Sequence, residues 1–373
     1  MTLPTRSSLA ALLLPVLSAA CAALTTFDPS SRAGGSEAPL VAGTDLRDWK
    51  GVVHCHGRLS HDSSGTEAEI VAASVACGLN FVVMTDHQTD ASVRDGIRGE
   101  RDGVLFLVGA EVRTPQGTLL AFPLQRPLRR WQHFALLARE AAAMGAVTFV
   151  CHAELWRVPW ATAELDGVEI VNLHAGAMAS SYVGTLATGL LLPLRSLMAR
   201  FCVRSRGVFD EWDRALTTGR RFVPIGGNDA HASVRVFGPL GGTIGTYREV
   251  FATLSTHVLA ARRTESDLVD GIRRGRTYVS FDLFGEGTGF DFRGERHGEC
   301  VLGGGEVTAG SGTRLRVRLP HAAHILLLRD GRDVAAVDGA ELVVEAPVAG
   351  TYRVEVTTPR GEPWLFSSAI RVL

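Results

Sequence analysis

Residues 52–62 read Val-Val-His-Cys-His-Gly-Arg-Leu-Ser-His-Asp, and the fold is decided by how that run is taken. A β-branched pair leads directly into His54, Cys55 and His56, with His61 and Asp62 just beyond. In an extended chain residues two apart leave the same face, so His54 and His56 can reach one ion. The same juxtaposition recurs downstream. Apolar residues 81–84 lead to Asp86 and His87, 105–108 to Glu111, 147–150 to His152, 170–173 to His174, and 222–225 through two glycines to Asp229 and His231.

The runs themselves follow a pattern. Short segments rich in Val, Ile and Phe at 51–54, 80–84, 104–108, 119–122, 146–150, 168–173 and 222–225 predict strands. Segments of helical period fall between them at 66–76, 131–144, 208–218 and 265–274, the first opened by Thr66 with Glu69 three residues later as a capping box. Alternating units of this kind predict helices wrapped around a parallel sheet, an α/β fold whose strand ends meet on one rim. Histidines and carboxylates gathered on a buried rim desolvate and repel one another unless a cation lies between them. Imidazole with carboxylate, and no required thiolate, suits Zn, Mn or Fe.

After residue 281 the character changes. Glycine becomes dense and the apolar residues alternate with period two, with turn signals at Asp330-Gly331 and Asp338-Gly339, which predicts a small antiparallel β-sandwich over 283–373. Ahead of the α/β part, at 45–282, Arg6 precedes an apolar run at 9–17 and then Ser18, Ala19, Ala20 and Cys21. This resembles a bacterial secretory signal of the lipoprotein type over 1–21, with a Ser/Gly/Pro-rich tether over 22–44. The expectation is an exported protein, periplasmic or anchored through a lipidated Cys21. The apolar segment 182–194 is cut by Pro193 and too short to span a bilayer; it reads as an inserted helix capping the barrel, with an interfacial helix as the alternative.

Composition excludes several classes. With 373 residues, 46% hydrophobic and 21% charged, and a formal net charge of -1, the chain has no bulk electrostatics suited to nucleic acid. Cys55, Cys77, Cys151, Cys202 and Cys300 show no CxxC spacing and read as small buried hydrophobes.

HCHGRLSHD (54–62), TDH (85–87), GAE (109–111), CHAE (151–154) and GGNDAH (226–231), in this order, resemble the successive motifs of the PHP (polymerase and histidinol phosphatase) superfamily. CHAE departs from the frequent His-Pro form of its motif. The resemblance covers roughly residues 46–281 and implies a distorted (βα)7 TIM-like barrel holding two or three divalent ions. It implies that His54 and His56 with Glu111 and Asp229 hold one ion, that Glu111 bridges to a second held by His152 and His174, and that Asp62, His87 and His231 hold a third. It further implies hydrolysis of a small-molecule phosphate ester by metal-activated water. His61 is a ligand, a proton donor or a surface residue; Asp86 is read as a carboxylate orienting His87. Arg113 and Arg235 follow ligand motifs and either clamp phosphate or are solvated. Asn172 and Asn228 are read as structural, and His133, His257, His297, His321 and His324 as surface or packing residues. Two other classes stay open: an amidohydrolase-like enzyme cleaving C–N or C–O bonds on the same metals, and a non-catalytic cell-surface binding protein. Oligomeric state is not legible.

Overall fold

The computed structural model describes residues 38–179, 194–231, 234–235 and 243–373. The segment expected to be a signal, most of the expected tether and nearly all of the apolar segment 182–194 lie outside the described residues. Of the tether, Ala38 and Val41 are described and are buried.

In chain order the first strands are β1 (Arg47–Cys55), β2 (Phe81–Met84), β3 (Gly99–Arg101), β4 (Val104–Val108), β5 (Ala110–Arg113), β6 (Thr118–Phe122), β7 (Val147–Cys151), β8 (Gly167–Asn172), β9 (Val223–Ala230), β10 (Val234–Arg235), β11 (Thr243–Ile244), β12 (Ser255–Ala260) and β13 (Thr277–Ser280). The helices are α1 (Glu67–Ala76), α2 (Asp90–Arg94), α3 (Phe134–Ala142), α4 (Leu173–Ala179), α5 (Leu194–Phe201), α6 (Arg206–Thr217), α7 (Tyr247–Phe251) and α8 (Glu265–Arg273). The capping box at Thr66 forms as the sequence predicts.

Six strands run parallel in the order β4-β2-β1-β9-β8-β7. Here the expected sevenfold repeat ends. Strand β6 pairs antiparallel with β7, and β5 antiparallel with β6. The link between β5 and β6 is Thr114–Gly117, with the Thr114 hydroxyl donating to the Gly117 carbonyl at 2.7 Å. Four residues make a hairpin, whereas a parallel crossover needs a dozen or more. Strands β4 and β5 share no ladder and follow each other in the chain through Gly109, whose N–H donates to the Met84 carbonyl at 2.7 Å, and Glu111 on β5 bridges to His87 in the neighbouring loop. The molecule is therefore a mixed α/β fold with a large sheet that does not close into the expected (βα)7 barrel.

Alternation sorts the side chains onto two faces. Val52, Val82, Phe106, Val150 and Val168 pack with the helices around Ile70, Leu137 and Trp212. Val53, Val83, Leu107, Phe149 and Ile225 pack with one another in a second apolar layer. The site described below lies at the carboxyl ends of these strands.

Toward its amino end β1 leaves β9 and pairs antiparallel with β12, which pairs with β13. His257 lies on β12, not in a helix or the C-terminal sandwich, and is fully buried as a packing residue. Its Nδ1 is 2.8 Å from Asp48 Oδ1 and its ring stacks on Tyr278 with centroids 4.2 Å apart. Strand β13 continues the sheet into the C-terminal part, which is all β: β14 (Asp291–Arg296), β15 (Glu299–Leu302), β16 (Glu306–Val307), β17 (Thr313–Arg329), β18 (Arg332–Glu345), β19 (Gly350–Thr357), β20 (Pro363–Ser367) and β21 (Ile370–Val372). Asp330-Gly331 makes the predicted tight turn between β17 and β18, both residues with positive φ. Asp338-Gly339 makes no turn and lies within β18. Opposite it β17 carries extra residues between Arg318 and Ala323, including Pro320, so the irregularity is taken up as a bulge. Cys300 is exposed on β15, unlike the other four described cysteines.

An ion-pair network joins α6 to β19. Buried Arg353 reaches Asp213 with Nε at 2.6 Å and Nη2 at 2.7 Å, and Glu355 with Nη1 at 2.6 Å. Arg204 grips Glu355 through two bonds of 2.7 Å. Burial would raise the Glu355 carboxyl, but Arg204 and Arg353 hold it below the ordinary carboxylate range. A depressed carboxylate stabilises the fold above its unfolded pKa and loses that contribution as pH falls toward its folded value. Glu355→Gln is therefore expected to lower the melting temperature most at pH 7, and the gap from wild type is expected to shrink below about pH 4.5. A gap of constant size across a pH series of melts would contradict this.

Candidate metal centre

The site begins with a bulge. Between Val53 and Cys55 the register of β1 shifts against both β2 and β9, and His54 takes φ +69°. Strict alternation from inward Val53 would turn His54 toward the helices. The extra residue resets the phase, so Cys55 joins the helix-side core while His54 and His56 both turn inward. His152 after β7 (φ +46°) and Asp229 on β9 (φ +49°) are also left-handed. Three non-glycine residues in this sparsely populated conformation at one rim mark strain stored at a site.

Their side chains converge. His54 Nε2 lies 3.4 Å from Glu111 Oε2 and 3.2 Å from Asp229 Oδ1, and His56 Nε2 lies 3.3 and 3.4 Å from the same two atoms. His152 Nε2 is 3.5 Å from Glu111 Oε1 and 3.5 Å from Asp229 Oδ2; His87 Nδ1 is 3.3 Å from Glu111 Oε2. Asp62 Oδ2 is 2.9 Å from His87 Nε2 and 3.4 Å from His231 Nε2. His54 and His56 are fully buried, and Glu111 and Asp229 nearly so.

The lengths discriminate. Direct hydrogen bonds run about 2.7–3.2 Å, as His54 Nδ1 to Glu169 at 2.7 Å does. Two ligand atoms each about 2.1 Å from one ion in a tetrahedral shell stand about 3.4 Å apart. Most of the inward imidazole–carboxylate separations match the second value. His54 Nε2, His56 Nε2 and Asp229 Oδ1 are buried with no hydrogen-bond partner among the described residues. Orphaned polar atoms facing one another are costly unless something positive lies between them. The ligand atoms of His54, His56 and Asp229 fall within 4.8 Å of one another, as do those of His56, His87 and Glu111, and those of His56, Asp62 and His231. The donor set fits divalent metal.

Electrostatics agree. Burial opposes charge on His54, yet Asp229, Cys151 and Glu169 raise its proton affinity well above the ordinary value. His152 is pushed up to about 12 against the same burial, by Cys151, Glu111 and Glu169. Burial would raise Glu111 and Asp229, but the imidazoles hold both carboxyls far below their usual range. The cluster thus demands compensating positive charge, which protons or cations supply.

Of the residues singled out in the sequence, His54, His56, Asp62, His87, Glu111, His152, Asp229 and His231 come together. His174 does not join Glu111 and His152 as expected. It opens α4, is exposed, and its ring neighbours that of His231, with centroids 5.8 Å apart. Asp86 does not orient His87; its Oδ1 accepts from the Gly57 backbone N–H at 2.6 Å and so holds the loop that carries His56. His61 is exposed, its ring 4.7 Å from that of His87. Arg113 is exposed beside the site, whereas the side chain of Arg235 lies outside the described residues. Asn172 and Asn228 are structural, donating to Glu169 and to the Val250 and Leu254 carbonyls.

Sequence reading missed Glu169. It is buried mid-strand on β8, where it accepts from His54 Nδ1, from the His152 N–H at 3.1 Å and from Asn172 at 2.9 Å. Gly227 makes the room, since a Cβ there would lie 1.6 Å from Glu169 Oε1. The available signal was an acid inside the apolar run Gly-Val-Glu-Ile-Val. Also missed was a cleft of about 450 Å³ beside His87 and Glu111, lined by Arg58, His61, Arg113, Arg130 and Trp131 among others.

No family model matches the sequence, and no curated protein matches it. Among solved structures the chain is similar to a two-domain protein of Bacteroides vulgatus described as containing a predicted PHP-like metal-dependent phosphoesterase. The identity is 15% and the TM-score 0.43, over 92% of this chain and 99% of that one.

Proposed function

We propose that this chain is a metal-dependent hydrolase of phosphate esters, exported and held at the membrane through a lipidated Cys21. The observation that carries the reading is the set of buried, unpartnered His54 Nε2, His56 Nε2 and Asp229 Oδ1 facing Glu111 next to an arginine-lined cleft. His54, His56, Glu111 and Asp229 would hold the deepest of two or three ions of the Zn, Mn or Fe kind, with His152 beside them and Asp62, His87 and His231 toward the surface. Divalent ions bound there would polarise a phosphoryl group and lower the pKa of water to about 7.

The chain's own groups do the rest. Glu169 fixes His54 so that Nε2 faces the cluster. Asp62, set by a 2.8 Å bond from the Ser60 hydroxyl and pulled down to about 2 by Ser60, His87 and His231 against its partial burial, stays anionic at neutral pH. Arg113 and Arg58, with no carboxylate partner among the described residues, draw an anionic substrate to the cleft. His61, exposed beside His87, would give a proton to a leaving oxygen.

Metal analysis of protein lacking the leader, followed by a panel of phosphomonoesters, phosphodiesters and amides with added Mn or Zn, tests the reading. Bound metal and phosphate-ester turnover that vanish together on chelation are expected. Turnover of amides or lactones alone would move the reading to C–N or C–O hydrolysis. In intact cells the protein is expected in the membrane fraction, and Cys21→Ala is expected to release it.

A further inference from the structure

The cleft beside His87 and Glu111 contains a feature that phosphate recognition does not need. Trp131 is 73% exposed, the most exposed large apolar side chain among the described residues, and it lines that cleft. It also has φ +56°, a conformation that a bulky residue occupies only when its surroundings impose it. The surroundings are visible. Gln88, next in sequence to His87, clamps the loop through Leu128: its Nε2 donates to the Leu128 carbonyl at 2.7 Å and its Oε1 accepts from the Leu128 N–H at 2.9 Å. Beyond Trp131 the chain is pinned again where His133 caps α3. The loop that carries Trp131 is thus tied through Leu128 to the residue next to His87. A non-glycine residue held left-handed costs free energy at the backbone, and strain of this kind collects at ligand sites where the surrounding structure imposes it.

We propose that Trp131 is a stacking platform that selects phosphate esters carrying a planar ring, with Arg58, Arg113 and Arg130 around the same cleft holding the anionic part. This rests on the phosphoesterase reading for the identity of the anionic group, but not for the platform itself. The geometry suits the chemistry. The cleft is of ordinary ligand size, it lies between the metal cluster and the indole, and its charged groups besides Glu111 are cationic or imidazole. An exposed indole gives a ring a face to stack on, and a guanidinium packs against the same π-systems.

Adenosine 5′-monophosphate carries adenine where ribose 5-phosphate has its anomeric hydroxyl, so the ratio of their dissociation constants reads the contribution of the base. Binding is measured by calorimetry on wild-type protein stripped of metal by chelation if turnover is fast, and at saturating Mn otherwise. Wild type is expected to bind the nucleotide about tenfold or more tighter than the sugar phosphate. Trp131→Ala is expected to erase that ratio without changing ribose 5-phosphate binding, and Trp131→Phe to keep most of it. Because Trp131 is exposed, neither variant threatens the fold, which circular dichroism verifies. Equal binding of the two probes by wild type, or a ratio unaffected by Trp131→Ala, overturns the platform. If the ratio behaves as expected while no phosphate ester is hydrolysed, the platform stands and the phosphoesterase reading falls.

Discussion

Asp229→Asn is expected to strip bound divalent metal from the protein and to lower hydrolytic turnover about a thousandfold or more. The carboxylate sits where the cluster is tightest. Its Oδ1 faces His54 and His56 at 3.2 and 3.4 Å with no hydrogen bond, and its Oδ2 faces His152 while accepting from Asn172 at 3.4 Å. An amide keeps the volume and, like aspartate, tolerates the left-handed backbone at φ +49°, so the change is chemical and not conformational. It removes one negative charge and replaces a ligand oxygen with a weaker donor or an NH2 group. Glu111→Gln, which touches His54, His56, His87 and His152, is expected to match it. Two measurements check the pair. Metal content should fall with activity, and the rise in melting temperature that Mn or Zn produces in wild type by mass action should disappear. A variant that retains turnover with no bound metal would contradict the assignment.

The chemistry of the site was more legible in the sequence than its architecture, for a physical reason. Ligands at strand ends are punctuated by apolar runs, so His54, His56, Glu111 and Asp229 stand out against Val, Ile and Phe. Whether they share a face depends on a bulge that no periodicity announces, because one inserted residue at His54 reverses the phase of everything after it. The run at 119–122 joins the sheet antiparallel and not parallel as expected, because apolar pattern carries no strand direction. The ten residues between the runs at 104–108 and 119–122 are themselves too few for a crossover. Asp338-Gly339 failed the other way: a local turn signal yielded to a long hairpin whose partner strand could absorb the irregularity. His174 was placed by sequence order after a strand end, and the chain turned helical at Leu173 before the side chain could reach the cluster.

Glu169 was the least legible of the residues that matter, and its replacement separates holding a ligand in place from being one. In Glu169→Gln the shape persists, but the side chain can offer only one acceptor oxygen where the carboxylate now serves His54 Nδ1 at 2.7 Å, the His152 N–H at 3.1 Å and Asn172 at 2.9 Å. One of those buried donors loses its partner, and His54 loses a charged acceptor that sets its tautomer and makes Nε2 a better donor to a cation. Metal affinity is expected to fall about 10- to 100-fold, with turnover restored when Mn or Zn is raised to saturation. Asp229→Asn should not be rescued that way, because there the missing group is itself a ligand. The two variants therefore diverge in a metal titration of activity: a shifted midpoint with a preserved plateau for Glu169→Gln, and a lost plateau for Asp229→Asn. If Glu169→Gln leaves the midpoint where wild type has it, the buried carboxylate serves only to fill the space that Gly227 leaves open, and the orientation of His54 must come from the bulge alone.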